Sequence, residues 1–249
     1  MARGDRCGGD CGGGGRAPMN RPLILLTCDR GVVGHPPRLA DLVNSAYVHA
    51  VERAGGSTAL LPALGDPVLT DLLERAEGVL LTGGRDYRKA GLHPAAEYCH
   101  RDRQERDLLL WHRLVERHHA VLGICLGMQL MVLGSGGTLH QDIDSQVTGI
   151  RAHRGTHHAV RLAPDSRLGR LLGPRIQVNS SHHQAIRRSA KAFITAGWAL
   201  DGIIEAVELP GERFVVGVQW HPERMSRSAT QQELFAAFVR AAGNGGRWV

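Results

Sequence analysis

Three short segments are apolar throughout, with no alternation: Leu23-Ile24-Leu25-Leu26-Thr27, Gly78-Val79-Leu80-Leu81-Thr82 and Ala120-Val121-Leu122-Gly123-Ile124. A strand with one wet face alternates apolar and polar residues, so continuous runs of this length mark strands buried on both faces. Such strands need helices above and below, and the intervening sequence supplies them. Leu39, Leu42, Val43, Ala46, Tyr47, Ala50 and Val51 recur at three and four, which predicts a helix over 39–54 closed by Gly55-Gly56. Asp66-Pro67 has the form of a helix start, with Asp66 as cap and Pro67 in the first position. Thr58–Leu61 reads as a further strand, and 102–118 as a charged helix with one apolar face. The alternation predicts an α/β fold built on a mostly parallel sheet flanked by helices.

The second half reads differently. Strand candidates follow one another at 158–162, 176–178, 193–196, 203–208 and 214–219, with Pro210-Gly211 as a turn between the last two. That order predicts an antiparallel extension in the second half, closed by a helix over 231–242. With no internal repeat and no clean linker, 21–243 is expected to form a single domain. Residues 1–20 are a Gly-rich leader with too little apolar surface to offset the entropy of ordering it.

Composition narrows the function classes. At 249 residues and 43% hydrophobic the chain is long enough to bury a sizeable core. No run approaches the roughly 18 apolar residues of a membrane span, and the first residues lack the apolar core of a secretory signal, so no membrane partner and a cytoplasmic location are expected. The net charge is +6, yet of 30 basic residues all but Lys89 and Lys191 are Arg, with no block of like charge. With aromatic residues at 4% there is no base-stacking platform, and nucleic acid is not expected as a partner. The five cysteines are odd in number and irregularly spaced, which argues against a disulfide scaffold. Self-association as a homo-oligomer is compatible with the chain.

Gly123-Ile124-Cys125-Leu126-Gly127 follows a buried strand and precedes the helical Met128-Gln129-Leu130-Met131. It has the form of a nucleophile elbow, with Cys at the centre. A sharp strand-to-helix turn brings the backbone against itself, so the flanking positions must be glycine. The thiol then stands at a helix N-terminus, where the dipole favours a thiolate. The bland alternative, a small core cysteine, does not need the two glycines. The base must come from elsewhere. Among 14 histidines His221 is the best placed. It follows the strand ending at Trp220, and Glu223 lies two residues on, able to hold its imidazole in one tautomer.

Gly123–Gln129 followed by Val218-Gln219-Trp220-His221-Pro222-Glu223 resembles the class I glutamine amidotransferases, whose fold is flavodoxin-like. Leu81–Gly84, Gly136–Asp142, Val178–Gln184 and Asp201–Ala206 are similar to the γ-glutamyl-γ-aminobutyrate hydrolase branch. The resemblance runs from about Pro22 to Ala242. It implies a Cys-His-Glu triad, matching Cys125, His221 and Glu223. It also implies an oxyanion hole from the backbone of Leu126 and of Gly83 or Gly84, and substrate contacts at Gln129, Ser180, His182, His183 and Gln184. The expected activity is hydrolysis of a small γ-glutamyl amide through a thioester, with no cofactor and no metal. The alternatives are a glutaminase subunit feeding ammonia to a synthase and a catalytically idle ligand-binding relative. The 85–91 loop departs from the branch, with Lys89 where a proline is expected. Other features are read as bland: His153, His157 and His158 as a surface loop, Arg101 to Arg106 as a solvated helix start, and Cys28 and Cys99 as inert.

Overall fold

The computed structural model describes residues 21–88, 93–94 and 97–249. The leader, with Cys7 and Cys11, lies outside the described residues, as does Lys89. The three apolar runs form β1 (Leu23–Thr27), β5 (Gly78–Leu81) and β6 (Ala120–Ile124), side by side and parallel. Both faces are sealed. Ile24 and Leu26 pack into one core with Val51 and Phe238, while Leu25 packs into a second with Val79, Leu110 and Met128. The first core lies under α1 (Ser45–Arg53) and α7 (Ala229–Gly243). The second lies under α2 (Asp66–Arg75), α3 (Arg101–Val115) and α4 (Leu126–Gly134).

β4 (Ser57–Leu61) joins the outer side of β1, and β13 (Val215–Val218) joins β6, completing a parallel core in the order β4-β1-β5-β6-β13. Beyond β13 the sheet turns antiparallel through β12 (Ile204–Glu208), β11 (Ile194–Ala199), β8 (Arg154–Leu162) and β9 (Arg175–Ser181). The switch is local: β12 and β13 are joined by a loop over 209–214 in which Gly211 has φ +103°, a value that favours glycine. β10 (Ala185–Arg188) branches from β12 and pairs with β7 (Thr138–His140).

Three expectations need correcting. The helix expected over 39–54 begins only at Ser45, where Asn44 accepts from Ala46 N–H. Residues 38–42 instead form β3 (Arg38–Leu42), paired with β2 (Asp29–Val33) as a separate hairpin that leaves Leu39 and Leu42 exposed. Their spacing at three matched helix by coincidence. The start of α3 is not solvated throughout: Arg103 and Arg106 are buried. Finally, the cap of α2 is Gly65, with Asp66 as the first helical residue. Beyond residue 243, the Trp248 ring lies 4.3 Å from Phe214 and its backbone N–H donates to the Glu212 carbonyl.

Candidate active site

Cys125 sits between β6 and α4 with φ +52°, the single non-glycine residue with positive φ among the described residues. Holding a side chain there costs of order 1–3 kcal/mol and persists only where the surroundings over-determine it. The two flanking glycines supply that constraint. A Cβ on Gly127 would stand 2.1 Å from the Leu81 carbonyl oxygen, and one on Gly123 would stand 2.9 Å from the Gly127 backbone. The elbow therefore closes only with glycine at both positions. The Cys125 amide is held by the Val218 carbonyl, which ties the thiol to the strand that delivers His221.

His221 follows β13 and is fixed at its backbone by Asn179: its N–H donates to Asn179 Oδ1, and its carbonyl accepts from Asn179 Nδ2, both at 2.8 Å. Its Nδ1 lies 2.7 Å from Glu223 Oε1. Because a carboxylate only accepts, Nδ1 carries the hydrogen, and the other ring nitrogen is left for the thiol. Burial alone would lower the basicity of this ring. The neighbouring Cys125 and the Glu223 carboxylate outweigh burial and raise its pKa to about 9. This environment favours the imidazolium form of the ring. Gln219 Nε2 approaches Cys125 Sγ at 3.4 Å, and Gln219 in turn accepts from Gln129.

The cleft in front of Cys125 is lined by Asp29, Tyr47, Gly83, Arg85, Ser181, His221 and Arg224. Gly83 N–H donates to the Tyr47 hydroxyl at 3.0 Å. Burial, then the charges of Glu223 and Cys125, keeps that phenol protonated. Arg103 lies behind the two glycines. Its guanidinium donates to the Thr82 and Gly83 carbonyls and pairs with Asp29 and Asp107. Arg106 donates to the Cys28 and Leu61 carbonyls. These two arginines bind carbonyls at the C-terminal ends of β1, β4 and β5, which is why they are buried.

The remaining expected site residues are spread out. Gln129 is buried and bridges the Gln184 carbonyl to Gln219. Ser180 turns inward and donates to the His153 carbonyl, so that its neighbour Ser181 faces the cleft. His183 bridges Asp86 and Asp142, and beside it Arg85, Arg154, Ser181 and His182 line an adjoining depression. The Gln184 amide donates to Gln141. His153, read as a loop residue, is buried, and it meets His182 and Glu205 beneath β12. His158 lies within β8 and reaches the same Glu205. Cys28, Cys99 and Cys125 are all free. Burial raises the thiol pKa of Cys28, and it pushes that of Cys99 up to about 11.

Sequence reasoning missed Tyr47, Arg103, Asn179 and Gln219. Asn179 lies inside the Val178–Gln184 motif and Gln219 inside Val218–Glu223, and both motifs were usable signals. Nothing local marked Tyr47 or Arg103.

A buried thiol at a strand-to-helix elbow, paired with histidine and carboxylate at the edge of a parallel sheet, defines a class I glutamine amidotransferase-like protein. The family described as Peptidase C26 matches residues 23–223, and the chain belongs to that hydrolytic family. The γ-glutamyl-γ-aminobutyrate hydrolase of Escherichia coli strain K12 is 30% identical over 249 residues, covering 90% of this chain and 94% of that one. A protein of Mycobacterium tuberculosis, provisionally named glutamine amidotransferase, is 35% identical over 244 residues, covering 92% of this chain and 77% of its own. Among solved structures, a Thermoplasma acidophilum protein provisionally described as a component of GMP synthase superposes with a TM-score of 0.65. It is 15% identical and covers 90% of this chain and 95% of that one, a likeness of fold.

Proposed function

We propose that the protein is a cysteine hydrolase of γ-glutamyl amides. The observation that carries the reading is the Cys125–His221–Glu223 arrangement, with His221 Nδ1 at 2.7 Å from Glu223 and the thiol opening on a cleft. The Cys125 thiolate attacks the γ-carbonyl carbon and forms a tetrahedral oxyanion. The His221 imidazolium gives its proton to the departing amine as the C–N bond breaks, leaving a thioester. Neutral His221 then takes a proton from water, which attacks the thioester and releases glutamate with the thiolate restored.

The oxyanion would be met by the Leu126 N–H, a first-turn donor with no partner within its own helix. The second donor would be Gly84 N–H, or Gly83 N–H once Tyr47 releases it. Asp29, Arg85 and Arg224 supply charges of both signs for the α-ammonium and α-carboxylate of a γ-glutamyl group. His183 and Ser181 would border the leaving amine, while the buried His182 ring turns away towards Glu205. Gln129, Ser180 and Gln184 fit a positioning role behind the cleft.

The second reading is a glutaminase that delivers ammonia to a synthase partner. It is favoured by the amidotransferase name of the 35% identical relative. Incubation with glutamine and with γ-glutamyl derivatives of γ-aminobutyrate, polyamines and aromatic amines separates the two. Amine release without a partner supports the hydrolase. Ammonia from glutamine alone supports the glutaminase, and no turnover of any substrate removes both.

A further inference from the structure

Behind the thiol site, beneath β12, three side chains converge. His153 Nδ1 lies 3.2 Å from His182 Nε2, and each of these nitrogens is 3.4 Å from Glu205 Oε1. All three side chains are at most 2% exposed. The outer contacts fix where the ring hydrogens are. His153 Nε2 faces Asp201 Oδ2 at 3.1 Å, and His182 Nδ1 faces the Gln184 carbonyl at 3.0 Å. Carboxylate and carbonyl oxygens only accept, so those outer nitrogens carry the hydrogens. In the neutral rings, His153 Nδ1 and His182 Nε2 are then lone-pair atoms, and they point at each other and at a carboxylate oxygen.

Three lone-pair atoms at this spacing repel one another unless a positive centre lies between them. The spacing has a ready interpretation. Around a tetrahedral ion with bonds of about 2.0–2.1 Å, ligand atoms stand about 3.3–3.4 Å apart. The outer bonds have the form that supports metal-binding histidines, in which the second ring nitrogen donates to a carboxylate or a backbone carbonyl. A separate observation agrees: Glu205 Oε2 is buried without a hydrogen-bond partner, while Oε1 also faces His158 Nε2 at 3.1 Å.

We propose that His153 Nδ1, His182 Nε2 and Glu205 Oε1 bind a divalent ion of the zinc class, with solvent in the fourth position. Two imidazoles and one carboxylate form a borderline donor set that suits zinc over calcium or magnesium. Asp201, which faces His153, and His158, which faces Glu205, line a surface depression beside the cluster. The ion would join β8, the turn after β9 and β12. His153 directly precedes β8, His182 directly follows β9, and Glu205 lies in β12, where its carbonyl accepts from Gln219 N–H. Its role is structural: it holds the antiparallel extension against the strand that presents His221, and the thiol chemistry does not pass through it.

The test uses the full chain with Cys7, Cys11 and Cys125 replaced by serine, so that no tail or active-site thiolate competes. After chelation and dialysis, zinc is titrated by calorimetry, and the bound shell is read by X-ray absorption. One equivalent of zinc is expected, together with a rise in Tm and a shell of nitrogen and oxygen containing two imidazoles. Asp201→Asn, which keeps all three ligands but removes the outer carboxylate, should weaken binding about 10–100-fold. Glu205→Gln should weaken it further, and if that variant does not fold, the imidazole count in the parent still decides. The absence of stoichiometric binding, a shell containing sulfur, or Asp201→Asn binding zinc unchanged would overturn the site and leave a proton-bridged hydrogen-bond network.

Discussion

His221 and His153 are both buried rings held by a carboxylate, Glu223 at 2.7 Å and Asp201 at 3.1 Å. What separates them is the partner of the second ring nitrogen. For His221 it is a thiol that opens on a cleft. For His153 it is a second histidine and a carboxylate in the sealed interior. Both rings have raised pKa values, in each case against the effect of burial, but the charges responsible differ: Cys125 and then Glu223 for His221, Glu205 and Asp201 for His153. On the two roles proposed above, a histidine–carboxylate pair is a neutral building element, and the group facing its far side decides between proton transfer and ligation.

The sharpest way to break this comparison is to remove the thiol. Cys125→Ser should lower turnover of a γ-glutamyl amide at least ~10⁴-fold, as loss of a nucleophile typically does, with the fold kept by circular dichroism. Measurable turnover within tenfold of the parent would move the chemistry elsewhere. Next come the two histidines. His221→Asn should cost about 10²–10⁴-fold in kcat, the usual worth of a positioned proton donor. His153→Asn should leave kcat within about threefold while lowering stability by about 1–3 kcal/mol in urea unfolding. Equal rate losses would erase the distinction between the two sites.

The pH profile sharpens it further. With a folded pKa near 9, against an ordinary 6.5, His221 contributes stability that is fully present below about pH 6.5 and is lost as pH rises through about 9. Because the same proton goes to the leaving amine, kcat should also fall above about pH 9, and Glu223→Gln should move that limb to lower pH. A limb that stays put in this variant would show that the carboxylate does not support the cation.

Arg103→Met tests the other buried charge group. It takes from Asp107 one of its two arginines, Arg106 being the other, and from the Thr82 and Gly83 carbonyls their guanidinium donor, and should cost about 3–5 kcal/mol of stability, read by urea unfolding. The smallest effect expected is at Tyr47. Tyr47→Phe removes the acceptor of Gly83 N–H and should cost about 1 kcal/mol by the same measurement. A larger loss there than at Arg103 would reverse the ranking of what holds the glycine pair in place.

The thiol site was legible because its parts are local. The elbow announces itself in five residues, and Glu223 lies two positions from the histidine it serves. The strands of the parallel core were equally legible, since burial on both faces leaves a continuous apolar run. The β2–β3 hairpin was not, because Leu39 and Leu42 are exposed and their spacing of three imitates the face of a helix.

Sequence alone thus determined the alternating α/β core, the antiparallel second half and the three residues of the candidate triad. Only the tertiary structure decided what surrounds them. Arg103 reaches the Gly83 carbonyl across 20 residues, Asn179 reaches His221 across 42, and Asp201 reaches His153 across 48. No period or motif encodes such pairings. An arginine on a helix or a histidine before a strand has the same local pattern whether it meets water or a buried carboxylate. The packing of distant strands determines which of these it meets, and with it whether a charge is solvated, paired or placed to bind an ion.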